Sequence, residues 1–193
     1  IPGVLQAQTY VAPEMPQKVS PKLIGASIPD MSLANASGEM VNLKSAISKK
    51  PTVLVFYRGG WCPYCQVQLA SLEKINAPLE ALGYQVFAVS TDSPENLKET
   101  TKKRKLTYSL LSDADLSLSK ELGIAFKAPK NYHSFLGKSS GGKNVENLLP
   151  VPAVYILNKE GEIKFEHIDP DFKVRMGPDL LLSLAKSYLQ EVK

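Results

Sequence analysis

Hydrophobic and polar positions along the chain change rhythm repeatedly, and the changes mark its elements. Thr52-Val53-Leu54-Val55-Phe56-Tyr57 is an unbroken β-branched and aromatic run, the pattern of a strand buried on both faces. Gln85 to Ser90 repeats it. Between them Leu69, Leu72, Leu79 and Leu82 recur at helical spacing and mark a buried helix face. Pro63 suits the first turn of that helix, Pro78 predicts a kink, and Gly83 a C-terminal stop. Ser93 can cap a helix over Pro94 to Arg104, with Glu95 and Asn96 in its first turn. A short strand is expected over Thr107 to Leu111, then a short helix over Ser117 to Leu122 closed by Gly123. Ala153 to Leu157 reads as a strand that Lys159-Glu160-Gly161 turns back into Ile163 to His167. Near the start, Ser37-Gly38-Glu39 predicts a turn before a strand at Met40 to Leu43. Leu181, Leu184, Ala185 and Tyr188 line one face of a terminal helix over Pro178 to Val192. Strand–helix–strand units followed by a hairpin and a helix define the α/β class: a mixed sheet with helices on both faces.

Two regions break the pattern. Lys127 to Leu149 is rich in Lys, Gly, Ser and Asn and lacks periodicity, so it reads as an insertion able to cover a site. The polar, Pro-containing run Thr9 to Pro21 reads as a tether, making residues 1–21 a flexible arm. The first eight residues resemble the small-residue tail of an export signal, which suggests an exported or periplasmic protein, with the cytoplasm as the other location. No apolar stretch approaches the roughly 18–20 residues of a membrane span. The net charge of +4, from 23 basic and 19 acidic residues, is too mild to imply nucleic acid. The basic run Lys102-Lys103-Arg104-Lys105 reads as a solvated helix end.

The chain has two cysteines, and both belong to Cys62-Pro63-Tyr64-Cys65. With no other pair to bridge, a disulfide scaffold is excluded. The preceding strand leads through Arg58-Gly59-Gly60-Trp61 to a helix that begins at Cys62. A thiolate there meets unpaired backbone N–H groups and the positive end of the helix dipole. Such a setting lowers a cysteine pKa from about 8.5 into the range of about 3.5–7.5. Cys62 is therefore the expected nucleophile, and Cys65, one turn later on the same side, the expected resolving thiol. Pro63 and Tyr64 shape the bond between them, and Arg58 can add positive charge. A structural zinc site normally needs four ligands; His133 and His167 are the only histidines and lie far from any finger spacing. No cofactor or resident metal is expected. Leu149-Pro150-Val151-Pro152-Ala153 leads into the late strand, and an X-Pro bond can be cis at modest cost.

Phe56-Tyr57-Arg58-Gly59-Gly60-Trp61-Cys62-Pro63-Tyr64-Cys65 resembles the peroxiredoxin-like branch of the alkyl hydroperoxide reductase/thiol-specific antioxidant (AhpC/TSA) family. Val89 to Glu95, Leu110 to Asp115 and Leu122-Gly123-Ile124 resemble it too, and Ile24 to Leu43 is similar to its N-terminal hairpin. The resemblance implies a thioredoxin-like fold over residues 22–193. It further implies that Cys62 attacks, Cys65 resolves and Trp61 packs beside them. It makes Val151-Pro152 a cis peptide facing the dithiol, with the Val151 backbone pairing with a bound partner. Two features depart from typical peroxiredoxins. The Pro and the Thr or Ser found seven and three residues before the reactive cysteine are Val55 and Gly59 here. The late-domain Arg is replaced by Val151-Pro152 at the strand entrance, and Arg175, near the C-terminal end, has no assignable place at the thiolate.

The leading reading is thus thiol–disulfide exchange with protein or small-molecule disulfides, supplied by an external thiol electron donor. The alternative is peroxiredoxin-type hydroperoxide reduction, with Cys62 passing through a sulfenic acid. A third is a metal carrier or redox sensor using the same pair.

Overall fold

The computed structural model describes residues 10–192, so the export expectation, which rests on the first eight residues, falls outside it. The elements are β1 (Ser32–Asn35), β2 (Met40–Asn42), α1 (Leu43–Ile47), β3 (Thr52–Phe56), α2 (Pro63–Ala81), β4 (Gln85–Ser90), α3 (Pro94–Arg104), β5 (Ser109–Ser112) and α4 (Ser117–Glu121). They continue with β6 (Ala125–Lys127), α5 (His133–Ser139), β7 (Leu148–Pro150), β8 (Ala153–Leu157), β9 (Ile163–Ile168), α6 (Pro178–Ser187) and α7 (Leu189–Val192).

The central sheet has seven strands in the order β2-β1-β5-β4-β3-β8-β9. β3, β4 and β5 run parallel, while β8 lies antiparallel to β3 and pairs in turn with β9. The all-apolar character of β3 has a direct reading in the packing. Val53 and Val55 enter one core layer and Leu54 and Phe56 the other, because side chains on a strand alternate between faces. The first layer is closed by α2 and α6 through Leu69, Leu72, Leu181 and Ala185. The second is closed by α1, α4 and α5 through Leu43, Ile47, Leu118 and Leu136. This is the thioredoxin-like architecture expected, with its N-terminal hairpin of β1 and β2.

Several boundaries moved for identifiable reasons. The strand expected from Thr107 begins at Ser109, because the Thr107 N–H and hydroxyl bond to the Glu73 carboxylate of α2 at 2.9 and 2.7 Å. Pro78 sits inside α2 without ending it, and the helix stops where Gly83 takes φ +94°. The terminal helix divides at Tyr188 into α6 and α7. Residues 127–149 are not a bare loop. They hold α5 and pair β7 antiparallel with β6, elements too short to leave a period in the sequence.

The tether expectation fails from Tyr10 onward. The Tyr10 hydroxyl donates to the Ala125 carbonyl at 2.6 Å, Lys127 N–H donates to the Pro13 carbonyl at 2.9 Å, and Ala12 is buried against Leu116 and Leu148. These contacts are with residues over a hundred positions away, which a local reading of a polar, Pro-rich run does not include. Among the described residues no helix is long and apolar enough to cross a membrane.

Candidate active site

The chain leaves β3 at Tyr57 and reaches Cys62 through a tightly held loop. Thr91 Oγ1 donates to the Arg58 carbonyl at 3.0 Å, and the Gly60 N–H donates to Asp92 Oδ2 at 2.7 Å. Gln66 Nε2, from the first turns of α2, donates to the Gly60 carbonyl at 2.7 Å. The two glycines are required by close approach. A Cβ at position 59 would lie 2.1 Å from Trp61 Nε1, and one at position 60 would lie 2.2 Å from the Thr100 hydroxyl. The space that a threonine side chain would need three residues before Cys62 is thus filled by the indole.

Asp92 is the buried anchor of this loop. Burial is the larger influence on it and raises its pKa to about 6; the hydrogen bonds from Gly60 and Ser90 act in the other direction. The Trp61 indole N–H also favours the carboxylate, although neither Trp61 Nε1 nor Asp92 Oδ1 completes a hydrogen bond.

Cys62 is the N-cap of α2 and Pro63 occupies its first turn, as the sequence predicted. Both cysteines are free thiols, and solvent reaches only 1% of Cys62 and none of Cys65. Cys62 lies shallow beneath its cover while Cys65 lies deep, and the difference sets their chemistry. The Cys65 thiol donates to Cys62, the largest influence on that sulfur. The Cys65 backbone N–H and the charges of Arg58 and Arg175 add to it, bringing the Cys62 pKa down to about 6 against the opposing cost of burial. Burial dominates at Cys65 and pushes its pKa well up, with the thiolate of Cys62 adding to the effect.

Two arginines flank the pair. Arg58, 4% exposed, is stacked among three rings: its guanidinium carbon lies 5.2 Å from the Trp61 centroid, 4.8 Å from Tyr132 and 4.3 Å from Phe172. Tyr132 and Phe135, both from the 127–149 region, pack on Trp61, so that region does cover the loop leading to the dithiol. Tyr64 is 41% exposed and meets Phe172 edge-on. Arg175, from the segment between β9 and α6, places Nη2 3.3 Å from Cys65 Sγ. The sequence had offered no place for Arg175 at the sulfurs; only the return of the chain across 110 positions puts it there. Asp92 was likewise missed as a site residue, and the one available signal was its position in the family-like Val89 to Glu95 segment.

The late proline behaves differently from its expectation. The described chain contains no cis peptide bond, so Val151–Pro152 is trans. Val151 is fully buried and its N–H is already bonded to the Ile124 carbonyl at 2.9 Å, which leaves that donor unavailable to a bound partner. The link runs from β7 directly into β8 and needs no reversal at this point. Pro152 instead lines a cavity of about 440 Å³ with Arg58, Tyr132 and Phe172. Among the described residues no three His, Cys, Asp or Glu side chains converge on one point as a metal set.

A free dithiol at the start of a helix, on a thioredoxin-like sheet, is suited to thiol redox chemistry. Comparison with known proteins narrows the class. Residues 24–166 match the AhpC/TSA family, and the chain belongs to it. The chain is a peroxiredoxin-like oxidoreductase. It is 29% identical over 170 residues to Peroxiredoxin Bcp of Escherichia coli, covering 88% of this chain and 99% of that protein. The fold is that of solved peroxiredoxins. Peroxidoxin BcpB of Mycobacterium tuberculosis superposes with a TM-score of 0.69 at 17% identity, covering 88% of this chain and 97% of that one. The Bacterioferritin Comigratory Protein of Xanthomonas campestris gives 0.68 at 20% identity, covering 89% and 99%.

Proposed function

We propose that this protein is a peroxiredoxin-type hydroperoxide reductase in which Cys62 is the peroxidatic and Cys65 the resolving cysteine. The observation that carries the reading is the paired asymmetry: a Cys62 pKa lowered to about 6 beside a Cys65 held as thiol. At neutral pH Cys62 is mostly thiolate, the form that attacks. Its sulfur takes the terminal oxygen of a hydroperoxide; the O–O bond breaks and the alcohol leaves with a proton. Cys65 then attacks the Cys62 sulfenic acid, an S–S bond forms, the S–O bond breaks and water leaves. An external thiol returns the disulfide to the dithiol by exchange. The relatives support this reading, since Peroxiredoxin Bcp carries the activity in its name and the Xanthomonas structure concerns alkyl peroxide reduction. The hydroxyl that typical peroxiredoxins place three residues earlier is absent at Gly59. The positive charge of Arg58 and Arg175 is available to the thiolate in its stead.

Stopped-flow oxidation by hydrogen peroxide and by cumene hydroperoxide tests the proposal. The expected rate constants exceed that of free cysteine by several orders of magnitude. A rate equal to free cysteine's, together with rapid reduction of a protein disulfide, would instead establish the second reading, thiol–disulfide exchange as the primary activity. The dithiol itself favours that second reading, because exchange needs no group beyond the two sulfurs.

A further inference from the structure

Arg175 does something that the Cys62 and Cys65 roles alone leave unexplained. Of its guanidinium contacts, one reaches the sulfur that burial keeps protonated. Nη2 donates to Cys65 Sγ at 3.3 Å, Nη1 donates to Gln68 Oε1, and Nε donates to the Phe172 carbonyl at 2.8 Å. Gln68 and Cys65 stand three residues apart on α2 and therefore share a face, so the fork of the guanidinium lies along that face. Arg58 cannot take this role with its side chain, which is stacked among Trp61, Tyr132 and Phe172; it offers Cys65 only its backbone N–H. Cys65 has no solvent contact, so charge forming on its sulfur must be met by the protein.

We propose that Arg175 is a catalytic residue acting at Cys65, where its guanidinium stabilises the negative charge that the resolving sulfur carries as it forms and breaks the disulfide. This rests on the reading of Cys62 as attacking and Cys65 as resolving cysteine. In the forward step Cys65 loses its proton as its sulfur bonds to Cys62, and the departing hydroxide takes up a proton to become water. In the return step a donor thiolate attacks Cys62 Sγ, the S–S bond breaks, and the electron pair passes to Cys65 Sγ, which faces Nη2. A second donor thiol then releases Cys62 and the donor leaves as its disulfide. Gln68 is a positioning residue, since it holds the guanidinium from the opposite nitrogen without touching sulfur.

The test follows the two oxidation steps separately. Trp61 is the only tryptophan and packs in the loop before Cys62, so its fluorescence reports the site during stopped-flow oxidation by hydrogen peroxide. In Arg175→Met the sulfenic acid step is expected to slow by a few-fold, because Arg175 also acts on Cys62 but is the least of the influences on that sulfur. Disulfide formation is expected to slow by roughly 10- to 100-fold, the value of a hydrogen bond to a charged group. Dimedone then traps Cys62 sulfenic acid that wild type does not accumulate. Arg175→Lys restores part of the second step, and Gln68→Leu, which keeps the arginine, slows it less than Arg175→Met does. Unchanged disulfide formation in Arg175→Met, or equal slowing of both steps, overturns the proposal; should that variant not fold, Gln68→Leu decides by the same criterion. If wild type itself reacts with peroxide no faster than free cysteine, the hydroperoxide reading fails and the return step still tests Arg175. Reduction of the pre-formed disulfide by dithiothreitol is then expected to be slower in Arg175→Met, and an equal rate overturns the inference.

Discussion

Cys62 and Cys65 stand one helical turn apart, yet the molecule treats them as opposites. Cys62 caps α2 beneath a thin cover, receives the Cys65 thiol and backbone N–H, and faces positive charge. Cys65 lies in the core among Leu69, Val55 and Tyr57, where the medium disfavours charge. The pair teaches that a motif of two identical residues becomes a division of labour through depth and hydrogen bonding. One sulfur is acidified by donors, among them the other sulfur, and the second is kept neutral by burial.

The comparison breaks most completely when a sulfur is removed. Cys62→Ser is expected to abolish peroxide consumption, a loss of at least about 1,000-fold in a coupled assay. Cys65→Ser is expected to keep the first oxidation and lose the disulfide, leaving Cys62 sulfenic and then sulfinic acid in the mass spectrum. Peroxide turnover surviving in Cys62→Ser would exchange the two roles.

The pH dependence sharpens it further. Alkylation of Cys62 by iodoacetamide is expected to follow the thiolate, with a midpoint at pH about 6, approaching its plateau above neutral pH and falling away below the midpoint. Cys65→Ala removes the largest lowering influence and moves the midpoint upward, toward the ordinary value of about 8.5. Arg58→Met moves it the same way by less, since its charge is a smaller influence. If the Arg58 variant shifted the midpoint more than the Cys65 variant, the hydrogen bond between the sulfurs would not be the principal cause.

Arg58 also has a packing role that Arg175 lacks. Its desolvated stacking among three rings predicts a stability loss of about 2 kcal/mol in Arg58→Met, read by urea unfolding. Arg175→Met, with a single sulfur and two oxygens as partners, is expected to lose less.

Asp92 fastens the loop that carries Cys62 and not the turn that carries Cys65. Its folded pKa is raised from 3.8 to about 6, so folding favours its protonated form relative to the unfolded chain, while near pH 7 it is mostly carboxylate. The stabilising contribution of that proton is complete below pH about 4 and is lost as pH rises through about 6. Asp92→Asn lacks this titration while keeping an acceptor for the Gly60 N–H. Wild-type stability relative to the variant is therefore expected to fall by about 1–2 kcal/mol between pH 4 and 7. A difference constant across that window counts against a raised Asp92.

The smallest effect is expected at the rim. Tyr64→Ala removes an edge-on contact with Phe172 that is largely solvated, and a cost of about 0.5–1 kcal/mol in thermal or urea unfolding follows.

Much of this was legible along the chain. The buried strands announced themselves by unbroken β-branched runs, the cap at Ser93 by its side chain and following proline, the helix start at Cys62 by Pro63, and the dithiol by its place between strand and helix. The hydrogen-bonded corners were not legible, nor was the packing of residues 10–21. Thr107 leaves its expected strand for Glu73, Tyr10 reaches Ala125, and Val151 gives its N–H to Ile124. Each depends on a partner that no local window contains.

The order of residues was enough to settle the chemistry available: two thiols at the start of a helix, in an α/β sheet of the AhpC/TSA pattern. Periodicity and capping are local, and a nucleophile's identity is written in its own residue. Tertiary structure alone decided how the thiols differ. Their relative depth, the indole filling the space beside Gly59, the aromatic cage of Arg58 and the arrival of Arg175 at Cys65 arise where distant segments meet. The energies of those groups depend on surroundings that exist only once the chain has closed around them.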